Sequence, residues 1–136
     1  MKSCFVDTNL FIRYLTNDDP AKADKVDKLL DDAAAGNLKL VTTEMVMAEI
    51  VWVLESGYSL KNSDIAPLVR GILATPGLEV INAALVARAV ELYETVNIDF
   101  IDGYIAAIME QRGITELYSF DRKHISRIKK VVRLEP

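Results

Sequence analysis

One cysteine, one histidine, one tryptophan and four prolines among 136 residues set the first limits on what this chain can be. Cys4 has no second cysteine with which to close a disulfide, so a disulfide scaffold is excluded, and inside an apolar run it reads as a small packing residue. With so few prolines and 51% hydrophobic residues, the chain is not a disordered segment. A single histidine, His124, offers no imidazole or thiolate cluster of the kind that holds zinc; it falls among basic residues and is expected to be exposed, with no catalytic role. No apolar run approaches the roughly 20 residues needed to cross a bilayer, and no signal-peptide pattern opens the chain, so a cytoplasmic protein is expected. Positive charge is also short: 16 Lys and Arg against 20 Asp and Glu leave a formal net charge of −4. That balance argues against a protein that grips nucleic acid by electrostatics alone, because such binding rests on cations neutralising phosphates.

The length is that of one domain, 1–136, able to bury roughly 70% of the surface its unfolded chain exposes. Short β-like runs fall at residues 3–6, 38–41, 78–81, 116–121 and 131–134. Helical patterns fall between them, at 10–15, 21–35, 43–55, 60–73, 83–96 and 99–109. Pro20 suits the start of the second helix, Gly36-Asn37 its end, and Gly57-Tyr58 the end of the third. With a further helix before the last strand, the order is β-α-α-β-α-α-β-α-α-β-α-β. It predicts an α/β fold: three layers, α/β/α, around a mostly parallel central sheet of about five short strands.

Acids end two of these strands. Ser3-Cys4-Phe5-Val6 runs directly into Asp7-Thr8-Asn9, and a buried parallel strand delivers its last residue to the rim where open α/β sheets bind ligands. The competing reading is that Asp7, Thr8 or Asn9 caps the helix that follows. Glu116-Leu117-Tyr118-Ser119-Phe120-Asp121 repeats the arrangement, with Ser119 placed to bond Asp121 or a water. Two more acids lie in helical segments. From Met45 to Leu54 the sequence is apolar on every side except at Glu49, which predicts a largely buried helix carrying one carboxylate. Such a charge is costly unless it meets a cation, a hydrogen bond, a metal or a gap that opens to solvent. Asp99 and Asp102 stand three apart in a first helical turn, where the helix dipole favours negative charge. Asp99 reads as an N-cap. Asp102, walled by Ile101, Ile105 and Ala106 with Gly103 leaving space beside it, is the functional candidate.

Four carboxylates converging at one sheet edge would repel one another and take up protons, a conflict that a divalent cation resolves. An all-oxygen donor set favours Mg²⁺ or Mn²⁺ over Zn²⁺, and carboxylate-held Mg²⁺ takes its remaining ligands from water and substrate phosphates. Phosphodiester hydrolysis is the natural chemistry of such a site. Taken together, Phe5-Val6-Asp7-Thr8-Asn9, Ala48-Glu49-Ile50, Asp99-Phe100-Ile101-Asp102-Gly103-Tyr104-Ile105-Ala106-Ala107 and Ser119-Phe120-Asp121 resemble the PIN domain family, and within it the small toxin ribonucleases of VapC type. These motifs span almost the whole chain, in the family's order. The resemblance implies Asp7, Glu49, Asp102 and Asp121 as a catalytic, metal-binding quartet, Asn9 and Ser119 as polar support, and Asp99 as an auxiliary acid. It also implies a Mg²⁺- or Mn²⁺-dependent endoribonuclease acting on single-stranded RNA, leaving 5′-phosphate and 3′-hydroxyl ends, with a homodimeric assembly and a cognate antitoxin protein. Gly103 stands where the family commonly has alanine, and is read as enlarging the space near Asp102.

The run from 122 to 133 carries Arg122, Lys123, Arg127, Lys129, Lys130 and Arg133 with no acid between them. Arg122, Lys123 and Arg127 are candidate substrate contacts along a phosphate backbone, against the plainer reading of a solvated surface. Among rival functions, a noncatalytic PIN-like module binding RNA or protein would be expected to lack one of the four acids, and all are present. A receiver domain needs paired acids before its first helix and a lysine on a late strand, neither of which fits. A DNA-directed nuclease stays open, since no residue visibly reads the 2′-hydroxyl that separates RNA from DNA.

Overall fold

The computed structural model describes residues 1–136, which form two compact units, Met1–Ala83 and Ala84–Pro136. In the first unit β1 (Ser3–Phe5), β2 (Lys39–Thr43) and β3 (Leu78–Ile81) pair in parallel in the order β1-β2-β3. Parallel neighbours need long crossovers. Helices α1 (Thr8–Thr16) and α2 (Pro20–Ala34) supply the first crossover, and α3 (Glu44–Tyr58) and α4 (Asn62–Leu73) the second. The second unit holds α5 (Ala83–Thr95) from its second residue onward, α6 (Phe100–Arg112), and the parallel pair β4 (Glu116–Tyr118) and β5 (Val132–Leu134). The α/β class read from the sequence is the class the chain adopts, with its five strands divided between a three-stranded and a two-stranded sheet.

Several expectations shift in detail. The opening strand is an edge of its sheet and not its centre: Phe5 is exposed, whereas Leu40 and Thr42 on β2 are fully buried. Helix α3 continues through Gly57 and stops at Ser59, whose φ of 54° places it in the left-handed region while its N–H and that of Leu60 both return to the Leu54 carbonyl. Between β4 and β5 the expected helix is a single 3-10 turn, Ile125–Arg127. Lys123 and Arg127 would repel at i, i+4 spacing in a longer helix, and Asp121 instead draws the backbone N–H groups of Lys123 and His124 into a turn.

Helix termini otherwise follow local rules. Asp19 accepts a bond from the Lys22 N–H with Pro20 at the first helical position, and Thr43 accepts one from the Val46 N–H. In the first unit Leu40, Met47, Ile50, Leu54, Ile65 and Val69 are wholly buried. In the second, Val86, Ala89 and Val90 are buried, and the rings of Tyr93 and Phe100 meet edge to face with centroids 6.4 Å apart.

One buried polar contact fixes where β1 ends. The Val6 N–H donates to the Val41 carbonyl at 2.9 Å, and the Val6 carbonyl accepts from the hydroxyl of Thr42 at 2.8 Å. Thr42 is a buried polar residue with no solvent exposure, so its hydroxyl does for the Val6 carbonyl what water cannot. The backbone is thereby tied down on both sides immediately before Asp7. Thr42→Val should cost about 1–3 kcal/mol by stranding that carbonyl, read as a lower urea midpoint with an unchanged slope.

Candidate active site

Asp7 occupies the N-cap position of α1 in extended geometry, φ −97° and ψ 176°, yet its side chain accepts no capping hydrogen bond. The carboxylate is exposed and free to bind something other than its own helix. Two turns of α1 and α3 then frame a surface cavity of ≈ 300 Å³ lined by Asn9 and Glu49 with Arg13 and Tyr58. Asp7 lines a different hollow, beside Phe5 and Leu10.

Glu49 corrects the sequence reading. It is exposed, on the same face of α3 as Met45 and Trp52, which are themselves 73% and 65% exposed, so the charge bears no burial cost. The apolar run misled because only Met47, Ile50, Val51 and Leu54 of that helix face the core. Nor does an arginine neutralise it. Arg13, the nearest guanidinium lining the cavity, gives Nη1 to both oxygens of Asp18 at 3.1 Å, and Tyr58 donates its hydroxyl to the same carboxylate at 2.6 Å. The Tyr58 hydroxyl and the Arg13 bonds hold Asp18 below the usual carboxylate range.

In the second unit the acids gather. Oxygens of Asp102 and Asp121 and a ring nitrogen of His124 all lie within 4.8 Å of one another. Asp102, in the first turn of α6, is half-buried, and its carboxyl titrates above the usual range, first because burial penalises its charge and then because Asp99 and Asp121 repel it. Asp99 is the N-cap residue of α6 and, like Asp7, its side chain makes no capping bond. Its role here is electrostatic.

Asp121 is held in place by its own loop. Its Oδ1 accepts from the N–H groups of Lys123 at 2.9 Å and His124 at 3.1 Å, and Oδ2 lies 3.4 Å from His124 Nδ1. These backbone donors, the His124 N–H foremost, keep the Asp121 carboxyl below its ordinary range. Ser119 accepts from the Asp121 N–H at 3.0 Å, so of the two partners open to it the hydroxyl takes the backbone beside the acid. Its own carbonyl receives Arg133 Nη1 at 2.7 Å. His124, assigned no role from the sequence and expected to be exposed, is partly buried and belongs to this cluster. The signal was its i+3 spacing from Asp121 across a turn-forming Asp.

Two expectations about the surroundings change. A Cβ on Gly103 would stand 2.8 Å from the Ala89 carbonyl oxygen, so the missing side chain admits the backbone of α5 and leaves no spare room. Three of the six cations of the basic run are engaged within the fold. Arg122 and Arg133 converge on Glu135 Oε1 at 3.0 and 2.8 Å, and Arg127 bonds the Asn97 carbonyl. Lys123 is exposed and forms no ion pair, and of the three substrate candidates it alone has a side chain with no partner in the fold.

The donors fit a divalent cation. Two carboxylates and an imidazole face one another, and burial together with its acidic neighbours makes one of the carboxylates harder to ionise. The chain is α/β with parallel strands and carries acids just beyond two strand ends and at a helix start, and residues 4–131 match the model of the PIN domain family. The chain belongs to that family. It is similar to the VapC ribonuclease of Aquifex aeolicus (strain VF5), with 26% identity over 118 residues that cover 87% of each chain.

Because Asp102 is more easily protonated folded than unfolded, its contribution to metal-free stability is complete below the ordinary carboxylate pKa of about 3.9 and is lost as pH rises through its folded value. Asp102→Asn should therefore raise the melting temperature of metal-free protein at pH 7, with the gain vanishing at pH 4; calorimetric scans at both values check this.

Proposed function

We propose that this protein is a metal-dependent endoribonuclease that cleaves single-stranded RNA and is the toxin of a toxin–antitoxin pair. The observation that carries the reading is the Asp102, Asp121 and His124 cluster, with Asp99 adding charge, inside a chain of the PIN domain family. Its similarity to a VapC ribonuclease supports RNA as the substrate and an antitoxin protein as partner. A homodimer belongs to the same proposal.

Asp102 and Asp121 are proposed ligands of Mg²⁺ or Mn²⁺, with Asp7 and Glu49 completing the acidic set on the strength of their motifs. A cation held by these residues would supply activation of water and would offset the negative charge that develops during phosphodiester cleavage. The chain's own residues do the positioning. Lys123 and His124 N–H groups hold one oxygen of Asp121 and leave the other directed at the His124 ring, so that the carboxylate is oriented before any cation arrives. Ser119 fixes the backbone beneath it, and the Thr42 hydroxyl fixes the backbone beneath Asp7. Asp99 raises the negative potential at Asp102 and so strengthens cation binding there. Lys123 is the proposed contact to the RNA backbone.

Purified protein should cut a defined single-stranded RNA with Mg²⁺ or Mn²⁺, cut the matching DNA far more slowly, and lose activity in EDTA. Equal activity on DNA would redirect the proposal, and cleavage in EDTA would overturn it. Asp7→Asn should abolish cleavage while far-UV circular dichroism stays unchanged. His124→Ala should weaken Mn²⁺ binding about 10-fold to 100-fold, measured by titration calorimetry. Millimolar Mn²⁺ should raise the melting temperature of the wild type and fail to do so for Asp121→Asn.

A further inference from the structure

A further cavity lies wholly within the second unit, and none of Asp99, Asp102, Asp121 and His124 lines it. It measures ≈ 440 Å³, and its apolar lining is Leu92, Val96, Ala106, Met109 and Ile128, all buried or half-buried, together with Ile114 and Val131. Leu92 and Ala106 belong to a small buried cluster against which Val96 and Ile128 pack, so the hollow is a continuation of the core that the chain has not filled. Its size falls in the range of small-molecule sites, roughly 300–1,000 Å³.

The mouth is basic. Arg88, Arg127, Lys129 and Lys130 border it, against one acid, Glu110. Arg88 is occupied with Glu91 and Glu110 at 2.9 and 3.2 Å, which cancels Glu110. Arg127 donates to the Asn97 carbonyl, a neutral acceptor that leaves its charge uncompensated. Lys129 and Lys130 are exposed and form no ion pair. An apolar floor beneath three uncompensated cations asks for a ligand with an apolar body and an anionic end.

No aromatic side chain lines the cavity, so it offers none of the stacking surface by which nucleobases are held. The lining is aliphatic, and a flexible aliphatic body matches it better than a flat ring. We propose that this cavity is a binding site for small aliphatic carboxylates, the hydrocarbon lying against Leu92, Val96 and Met109 and the carboxylate at the mouth between Lys129 and Lys130. The site is independent of the metal cluster and of the nuclease reading.

Titration calorimetry of the full chain at low salt, with hexanoate, octanoate, octanol and octylamine as probes, tests it. Octanoate should bind at least tenfold more tightly than octanol, octylamine should bind worst, and raising the salt should weaken octanoate alone. Affinity should rise about threefold to fourfold per methylene from hexanoate to octanoate, as burial of each methylene predicts. The double variant K129E and K130E alters only exposed residues, so it should keep the melting temperature while losing at least tenfold in octanoate affinity. Val131→Trp should fill part of the cavity and weaken both octanoate and octanol. Octanol binding as tightly as octanoate, unchanged affinity in the charge-reversed protein, or no binding of octanoate at millimolar concentration would each overturn the proposal.

Discussion

The interaction on which the site depends is repulsion between carboxylates at short range. Asp102 is half-buried beside Asp121 with Asp99 one helical turn away, and the chain provides no lysine or arginine to answer them. Burial and its acidic neighbours make Asp102 harder to ionise than an exposed carboxylate. A protein that retains this arrangement bears a small standing cost at neutral pH, and a divalent cation turns the same charges into favourable contacts. The neighbouring imidazole of His124 offsets the repulsion in part, which makes it a component of the site's electrostatics and not a bystander.

A comparison of helix starts within this one chain sharpens the point. Asp19 and Thr43 stand at N-cap positions and do what such residues do, accepting a backbone N–H of the first turn. Asp7 and Asp99 stand at equivalent positions and withhold their side chains from that task. The helix dipole still favours their charge, but their oxygens are left to other partners. Departures from local rules gather where function lies, and here they fall on residues of the family motifs.

Preorganisation of the acids comes from backbone groups. Asp121 is seated by two N–H donors and a serine hydroxyl beneath it, and Asp7 follows a residue pinned by the Val41 carbonyl and the Thr42 hydroxyl. Both devices place a carboxylate without neutralising it, where a salt bridge would have spent the charge. The fold spends its arginines elsewhere: Arg13 on Asp18, Arg88 on Glu91 and Glu110, Arg122 and Arg133 on Glu135. The negative cluster therefore survives in a chain whose surface is rich in ion pairs.

Periodicity and turn chemistry were enough to read the α/β class, the alternation of strands with helix pairs and the positions of all five strands, because each rests on short-range preferences. The four acids of the family motifs, with Ser119 and Asp99, could be picked out from the sequence as candidates. Burial was not. Glu49 sits in an apolar run yet faces outward, because the run contains two faces and only packing chooses between them. Gly103 looked like open space until Ala89 of another helix occupied it. His124 joined the cluster only once the Asp121 turn curled its ring back, and two cations of the basic tail, Arg122 and Arg133, turn to Glu135, a residue just beyond it. Sequence determines which groups are present and how they recur along an element; which face turns inward, and which charges meet, is settled by contacts between residues far apart in the chain.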